Sequence, residues 1–396
     1  MPSIAGMDVR KLITPGRIAI GIIILGGVII TLRRFAFGLG ATTNLSDQVP
    51  WGLWISFDVI SGVALAAGGF TMALLVHIAG DHTYRGLVRP AILTAFLGYL
   101  LVIVGLLFDI GKPWNIWHAI IYWNHHSAMF EVAWCVMLYT TVLLLEFLPM
   151  VLERFGLHAP MRIIRAIQIP LFITGIVLST LHQSSLGSLF LLTPGKLHPL
   201  WYTRYLPLLF FFSAVTVGFA MVMLESFLSS KFLRRGLELR LLARLGRYLA
   251  FADIFYLILR IQDLTRRGVW GEAFTGSTES IFFLAEMALF TVPLFILFSS
   301  RLRRQRTPLF LASLMIVIGL VLNRLNISLV GMLRSTGGSY LPNWQEIWLS
   351  VFLVLCAALV FGLAARFLPV FSAEGPRDAG AGAKRSTDGA SQAAPA

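Results

Sequence analysis

Charge is what this sequence has least of. Only 13% of its 396 residues are Asp, Glu, Lys or Arg, against 57% hydrophobic. An ordinary soluble domain carries about 25% charged residues, so a soluble fold is excluded and most of the chain must lie in lipid. Cysteine is nearly missing: Cys135 and Cys356 both fall inside apolar runs. Two such thiols exclude a disulfide framework, a Cys-based zinc site and an iron–sulfur cluster held by this chain. Histidine is scarce where a haem would need it. Bis-histidine ligation requires two imidazoles facing each other at one depth, and His182 alone lies well within an apolar run. His77 is near the end of its run, and His82, His118, His125, His126, His158 and His198 belong to loops or helix ends. No haem is expected.

What is present is a series of apolar runs near 17–37, 53–79, 90–110, 128–150, 166–192, 206–229, 246–262, 280–300, 308–329 and 347–370. A bilayer core needs about 20 apolar residues per helix. The expected fold is therefore all-α, a polytopic membrane bundle of about ten transmembrane helices. The run at 246–262 is the weakest, because Asp253 and Arg260 flank a short apolar centre. The first run ends in Arg33, Arg34 and Phe35 rather than a small-residue cleavage site, so it reads as a retained helix and not a signal peptide. Residues 1–16 read as a cytoplasmic N-terminus, 17–371 as the membrane domain, and the Ala-, Gly- and Ser-rich 372–396 as a disordered cytoplasmic tail.

The net charge of +13 could suggest nucleic acid, but the distribution of basic residues points to topology. With the N-terminus inside, most of the 32 Lys and Arg fall in inner loops and tails, in clusters such as Arg234/Arg235/Arg240/Arg244 and Arg301/Arg303/Arg304/Arg306. That bias places both termini in the cytoplasm, with no nucleic-acid partner. The outer loops are rich in Gly, Pro, His and aromatics, and hold or adjoin eight of the ten tryptophans. Trp51, Trp54, Trp114 and Trp201 are either part of an aromatic belt or, since the belt is one-sided, part of a docking surface for an external partner.

Depth follows from position at about 1.5 Å per residue. Asp58, Asp109, Glu131, His182, Arg260, Glu286 and Arg324 all reach the outer third of the membrane, from seven helices. Singly each has an ordinary account; Arg260 and Arg324 could snorkel and Asp109 could cap a loop. Together they read as one buried polar chamber. Towards the inner side, Tyr99, Glu146, Glu225 and Asp253 form either hops of a proton route or, for Glu146 and Glu225, pairs with basic residues near the headgroups. An internal echo links two helices. Gly175–Gly187 aligns without gaps to Gly319–Gly331, with six of thirteen positions identical. Both stretches run outward, so a pseudo-two-fold along the membrane normal would relate helices 2–5 to helices 6–9.

Several strings carry a resemblance: Pro50-Trp-Gly-Leu-Trp-Ile-Ser-Phe-Asp58, Val88-Arg-Pro-Ala91, Asp109-Ile-Gly-Lys-Pro-Trp-Asn115, Phe130-Glu131, Leu181-His-Gln-Ser-Ser-Leu-Gly-Ser-Leu189 and His198-Pro-Leu-Trp201. The chain resembles the NrfD/polysulfide-reductase membrane-subunit family, in its HybB-type branch that serves periplasm-facing nickel–iron hydrogenases. That resemblance implies ten helices and a quinone (menaquinone or ubiquinone) bound near the periplasmic face. It also implies electrons from a docked four-cluster iron–sulfur protein fed by the hydrogenase large and small subunits, and no haem. Asp58, Arg89, Tyr99, Asp109, Glu131, His182 and Glu225 look like the family's polar positions. Lys112 stands where the family commonly has arginine, which keeps the charge but not bidentate geometry. An imidazole, with an ordinary pKa of about 6.5, can both give and take a proton, which suits His182 to a quinone carbonyl. The chain would be a subunit of a hydrogen:quinone oxidoreductase, inactive alone. Rival readings are an NrfD-type anchor serving a sulfur, molybdopterin or multihaem cytochrome partner, and a secondary transporter. The transporter reading is opposed by charges near one face and by few Gly or Pro interruptions at mid-membrane.

Overall fold

The computed structural model describes residues 14–371 except Pro50, Thr193, Gly338 and Ser339. The expectations for most of 1–16 and for the tail 372–396 lie outside the described residues. Ten long helices follow one another: α1 (Pro15–Phe37), α2 (Trp54–Ile78), α3 (Arg85–Asp109), α4 (Ala128–Arg154), α5 (Gln168–Leu189), α6 (Leu206–Phe232), α7 (Leu239–Arg267), α8 (Thr278–Phe298), α9 (Arg306–Ser328) and α10 (Trp344–Phe367). No strand occurs among the described residues. Among the described residues nine of these ten are long and apolar enough to cross a membrane. The exception is α7, the run whose composition was weakest. Its polar residues Asp253, Arg260 and Asp263 are buried, while Phe251, Phe255, Ile258 and Ile261 are exposed. The helix is apolar on its outside and polar on its inside, so its average hydropathy understates its fitness for lipid.

Two four-helix units make up the centre. In the first, α2, α3, α4 and α5 pack in ring order; in the second, α6, α7, α8 and α9 do the same. The units meet where α6 packs on α2 and α5, and where α2 packs on α9. A two-fold that relates helices 2–5 to helices 6–9 exchanges the α6–α5 and α2–α9 contacts and maps the α2–α6 contact onto itself, which is the relation the internal echo implied. Helices α1 and α10 pair with each other outside the units, and α10 rests on α3. They are largely lipid-exposed, whereas α2 is the most enclosed helix.

The two ends of the bundle differ. At one, the long loops are stitched together: Asn44 N donates to Glu346 Oε1 at 2.8 Å, Leu53 N to the Tyr340 hydroxyl at 2.9 Å, and His198 N to Gly331 O at 2.8 Å. Asn343 and Glu346 form a reciprocal capping box that starts α10 there. At the other, basic end the turns are short. Tyr248 donates to Asp81 at 3.1 Å, and Arg89 reaches both Glu153 and the Pro369 carbonyl.

Candidate functional site

The enclosed helix α2 is not continuous. It runs as a π-helix over Trp54–Ser61, an α-turn over Gly62–Leu65, a break at Ala66 and Ala67, an α-segment over Gly68–Ala73 and a second π-segment over Leu74–Ile78. Such π-segments concentrate at functional sites. At the break, Ala67 N turns back to Ala64 O at 3.0 Å, which frees the Val63 carbonyl. Gln183 Nε2 on α5 donates to that carbonyl at 3.1 Å. An unsatisfied carbonyl in lipid costs several kcal/mol, so Gln183 is what makes the break tolerable. Gly98 on α3 allows the approach; a Cβ there would stand 2.8 Å from that of Ala66. The sequence has few Gly or Pro interruptions at mid-membrane, but this break is one, and its signal is the Gly68-Gly69 pair that directly follows Ala66 and Ala67.

Beside the break is His182, fully buried. Tyr99 lies 5.9 Å from it between ring centroids, and Tyr139 on α4 stands edge-on to Tyr99 at 4.7 Å. Both His182 nitrogens, the two phenol hydroxyls, Ser179 Oγ and Gln183 Oε1 are buried without a hydrogen-bond partner among the described residues, although Ser179 lies close to both phenols. Unpaired buried polar groups each cost about 1–3 kcal/mol, so this concentration is a strong departure from normal packing. Below it, the Glu146 carboxylate rests against Gly175, where a Cβ would be 3.3 Å from Oε1. Tyr139 and Glu146 are seven residues apart on α4 and therefore share a face. Glu146 lines a cavity of about 400 Å³ that opens at the basic end. Above the cluster, Ser185 donates to Glu131 Oε1 at 2.6 Å.

A second group lies on the seam of α2, α3 and α10. Asp58 Oδ2 accepts from Ser350 at 2.6 Å, and Asp109 is its charged neighbour. Arg34 of α1 is buried; its Nε donates to Phe108 O at 2.7 Å and its Nη2 to Ile110 O at 2.8 Å, beside Asp109. Glu346 collects the Asn44 amide and the Tyr340 hydroxyl. Arg34, Glu346 and Ser350 were missed from sequence because they sit on the two flanking helices. The Asn343–Glu346 capping spacing was the one signal available.

A third group belongs to the second unit. Buried Glu286 accepts from Trp201 Nε1 at 2.9 Å, Asn323 Nδ2 at 2.7 Å and Asn326 Nδ2 at 2.7 Å. Arg324 donates to Asn323 Oδ1 and Ser213 Oγ at 2.7 and 2.9 Å and lies 3.7 Å over the Phe210 ring. Arg260 donates to Leu200 O at 3.1 Å. Both arginines are buried and neither snorkels. The expected single chamber is therefore resolved into three clusters, since each polar group is claimed by the helix nearest it. Two further corrections concern tryptophans. Trp54 and Trp201 are 1% and 0% exposed; their indoles donate inward to Glu346 O and to Glu286, so they support the loop end instead of forming its surface. Trp51 is half-buried against Phe190, while Trp114 is 69% exposed. Glu225 stands apart from Glu146, on α6 of the other unit, where it accepts from Ser229 at 2.8 Å beside Arg235. Asp253 is buried with neither oxygen partnered.

Residues 41–336 match the family described as polysulphide reductase, NrfD. The chain belongs to the NrfD family. That match spans α2–α9, the two four-helix units, and leaves α1 and α10 outside it. Relatives extend over the flanking helices as well. A protein of Nitratidesulfovibrio vulgaris (Hildenborough) is 39% identical over 91% of this chain and 95% of its own length. The probable Ni/Fe-hydrogenase 2 b-type cytochrome subunit of Escherichia coli K12 is 32% identical, covering 91% of this chain and 93% of its own. The menaquinone reductase integral membrane subunit of N. vulgaris is 31% identical over 88% and 89%. As an NrfD-family chain, the protein is a multi-span membrane subunit of the kind that serves respiratory oxidoreductase complexes.

The E. coli relative's designation raises haem as a question. His77 stacks on Phe172 at 4.0 Å, ten residues and so about 15 Å along α5 from His182. Among the described residues no three His, Cys, Asp or Glu side chains are grouped as for a metal. A bis-histidine haem does not fit this arrangement.

Proposed function

We propose that this chain is the quinone-interacting membrane subunit of a periplasm-facing nickel–iron hydrogenase. It passes electrons between a docked four-cluster iron–sulfur protein and the quinone pool. The observation that carries the reading is the set of unpartnered buried groups at His182, Tyr99, Tyr139 and Ser179, which suits a ligand with carbonyl oxygens. A bound quinone supplies a two-electron, two-proton acceptor. His182 orients such a ligand by hydrogen bonding and holds a proton at one ring nitrogen. Ser185 and Glu131 lie one turn above, towards the loop end. Glu146, Tyr139 and Tyr99 line up between the cavity at the basic end and His182, and form the inner proton route; Glu225 pairs locally instead. Asp58 and Asp109, braced by Ser350 and Arg34, border α2 above the break. Trp114, together with exposed Trp117, Trp123 and Trp344, forms the partner-facing surface, with both termini cytoplasmic.

The test is hydrogen-dependent quinone reduction by the assembled complex carrying His182→Ala. The expected result is loss of quinone reduction with hydrogen oxidation by an artificial dye retained. Loss of both activities would assign His182 to assembly and overturn the reading. The 31% identity to a menaquinone reductase subunit favours one second reading, in which the electron-donating partner is another reductase and the quinone chemistry is unchanged.

A further inference from the structure

The cavity of about 400 Å³ at the basic end of the first unit has the size of a small-ligand pocket, and its mouth is arginine-rich. Arg89 is already engaged, with Glu153 at 2.8 Å and with the Pro369 carbonyl at 2.9 Å. Arg85, in the first turn of α3, and Arg165, at the end of the short helix His158–Ala166, also line the cavity. Both are exposed, and neither makes a hydrogen bond or ion pair within the described residues. Two unpaired guanidiniums from different elements thus face one opening, which is a donor arrangement for a phosphate.

The surroundings decide between a free anion and a lipid. The short helix buries Met161 and Ile164 against Leu152, while Ile163 on it and Leu157 and Ile167 at its two ends are exposed at 66%, 50% and 43%. A short helix with one apolar face buried, further apolar side chains exposed on and beside it, and Arg162 and Arg165 on its remaining surface lies at the headgroup level of a bilayer. Behind the arginines the cavity is walled by apolar side chains, among them Val88, Ile92 and Leu171. Basic pockets between transmembrane helices are suited to anionic headgroups.

We propose that this cavity binds an anionic phospholipid, its phosphate held between Arg85 and Arg165 and its apolar portion on the walls of α3 and α5. The site shares its cavity with Glu146 of the proposed proton route, but its readout is lipid binding, which succeeds or fails separately from quinone reduction. The purified full chain, delipidated in detergent, is titrated with phosphatidylglycerol and, separately, phosphatidylcholine, and adducts are counted by native mass spectrometry. Phosphatidylglycerol is expected to bind about tenfold more tightly, a preference lost in R85Q/R165Q and kept in R85K/R165K. Because Arg165 is exposed, R165E provides a variant whose folding is not at risk; it is expected to weaken phosphatidylglycerol binding by about tenfold. Unchanged preference in R165E overturns the proposal. Displacement of phosphatidylglycerol by millimolar inorganic phosphate also overturns it, by assigning the cavity to a free anion.

Discussion

The two four-helix units place related helices against each other and use them in opposite ways. In the aligned stretches of α5 and α9, Ser179 corresponds to Asn323 and His182 to Asn326. On α9 both asparagines donate to Glu286, and Arg324 between them is held by Ser213 and Phe210. On α5 neither Ser179, close as it is to the two phenols, nor His182 makes a hydrogen bond among the described residues. The second unit spends its polar residues on each other, and the first leaves them unpaired beside a broken helix. A well-connected buried network rigidifies, whereas a concentration of unsatisfied groups marks a place where stability is given up for a ligand. The second unit keeps exceptions of its own among the described residues: Asp253, midway along α7, has neither oxygen partnered, and Asn326 Oδ1, Arg260 Nε and Arg324 Nε also lack a partner.

The comparison is broken most severely at Glu286. Glu286→Ala leaves the buried Trp201 and Asn323 donors facing no acceptor and Asn326 with only the Phe282 carbonyl, and should destabilise the chain by about 3–5 kcal/mol, read as a large fall in thermal midpoint in detergent. His182→Ala should change that midpoint little. Equal losses for the two would remove the distinction between the units. Next in size, Glu146→Gln and Tyr139→Phe should each slow quinone turnover by about tenfold or more, with dye-linked hydrogen oxidation unaffected. Glu225→Gln should leave cytoplasmic proton uptake in oriented vesicles unchanged, and a loss there would restore Glu225 to the proton route. Gly98→Val should cost about 1–3 kcal/mol by overpacking, since its side chain would press on Ala66 at the break in α2.

How much of this could be read from the chain depends on which physical rule each feature obeyed. The ten helices were legible because lipid demands about 20 apolar residues per crossing, and α7 was dim because its polar face is internal. The depth of His182 followed from counting, and the two-unit layout followed from the Gly175 and Gly319 stretches. Clustering was not legible. Rotation about each helix decides which groups meet, and so Asp58 went to Ser350 and Glu286 to Trp201 instead of to one chamber. Nor could Arg34 be found, because the flanking helices return to the loop end only through packing; Glu346 offered no more than its capping spacing from Asn343.

The smallest expected effect concerns the loop end, where the units share a lid. His198 Nδ1 accepts from Leu200 N at 3.3 Å, which requires a neutral ring. Burial, reinforced by Arg334, lowers its pKa; the Glu272 carboxylate at 3.8 Å pulls the other way and is outweighed. The unfolded chain therefore binds a proton here that the folded chain does not. Stability should fall modestly as pH drops below the ordinary histidine value of about 6.5. A melting series from pH 7.5 to 5.5 checks this, and His198→Gln should flatten it.

The central claim, that the first unit holds the quinone and the second unit holds the structure, is tested most directly by photo-crosslinking the assembled complex with an azido-quinone and mapping the labelled peptides. Label is expected on α3, α4 and α5 around Tyr99, Tyr139 and His182, diminished by His182→Ala. Label concentrated on α8 and α9 around Glu286 and Asn326 would contradict it.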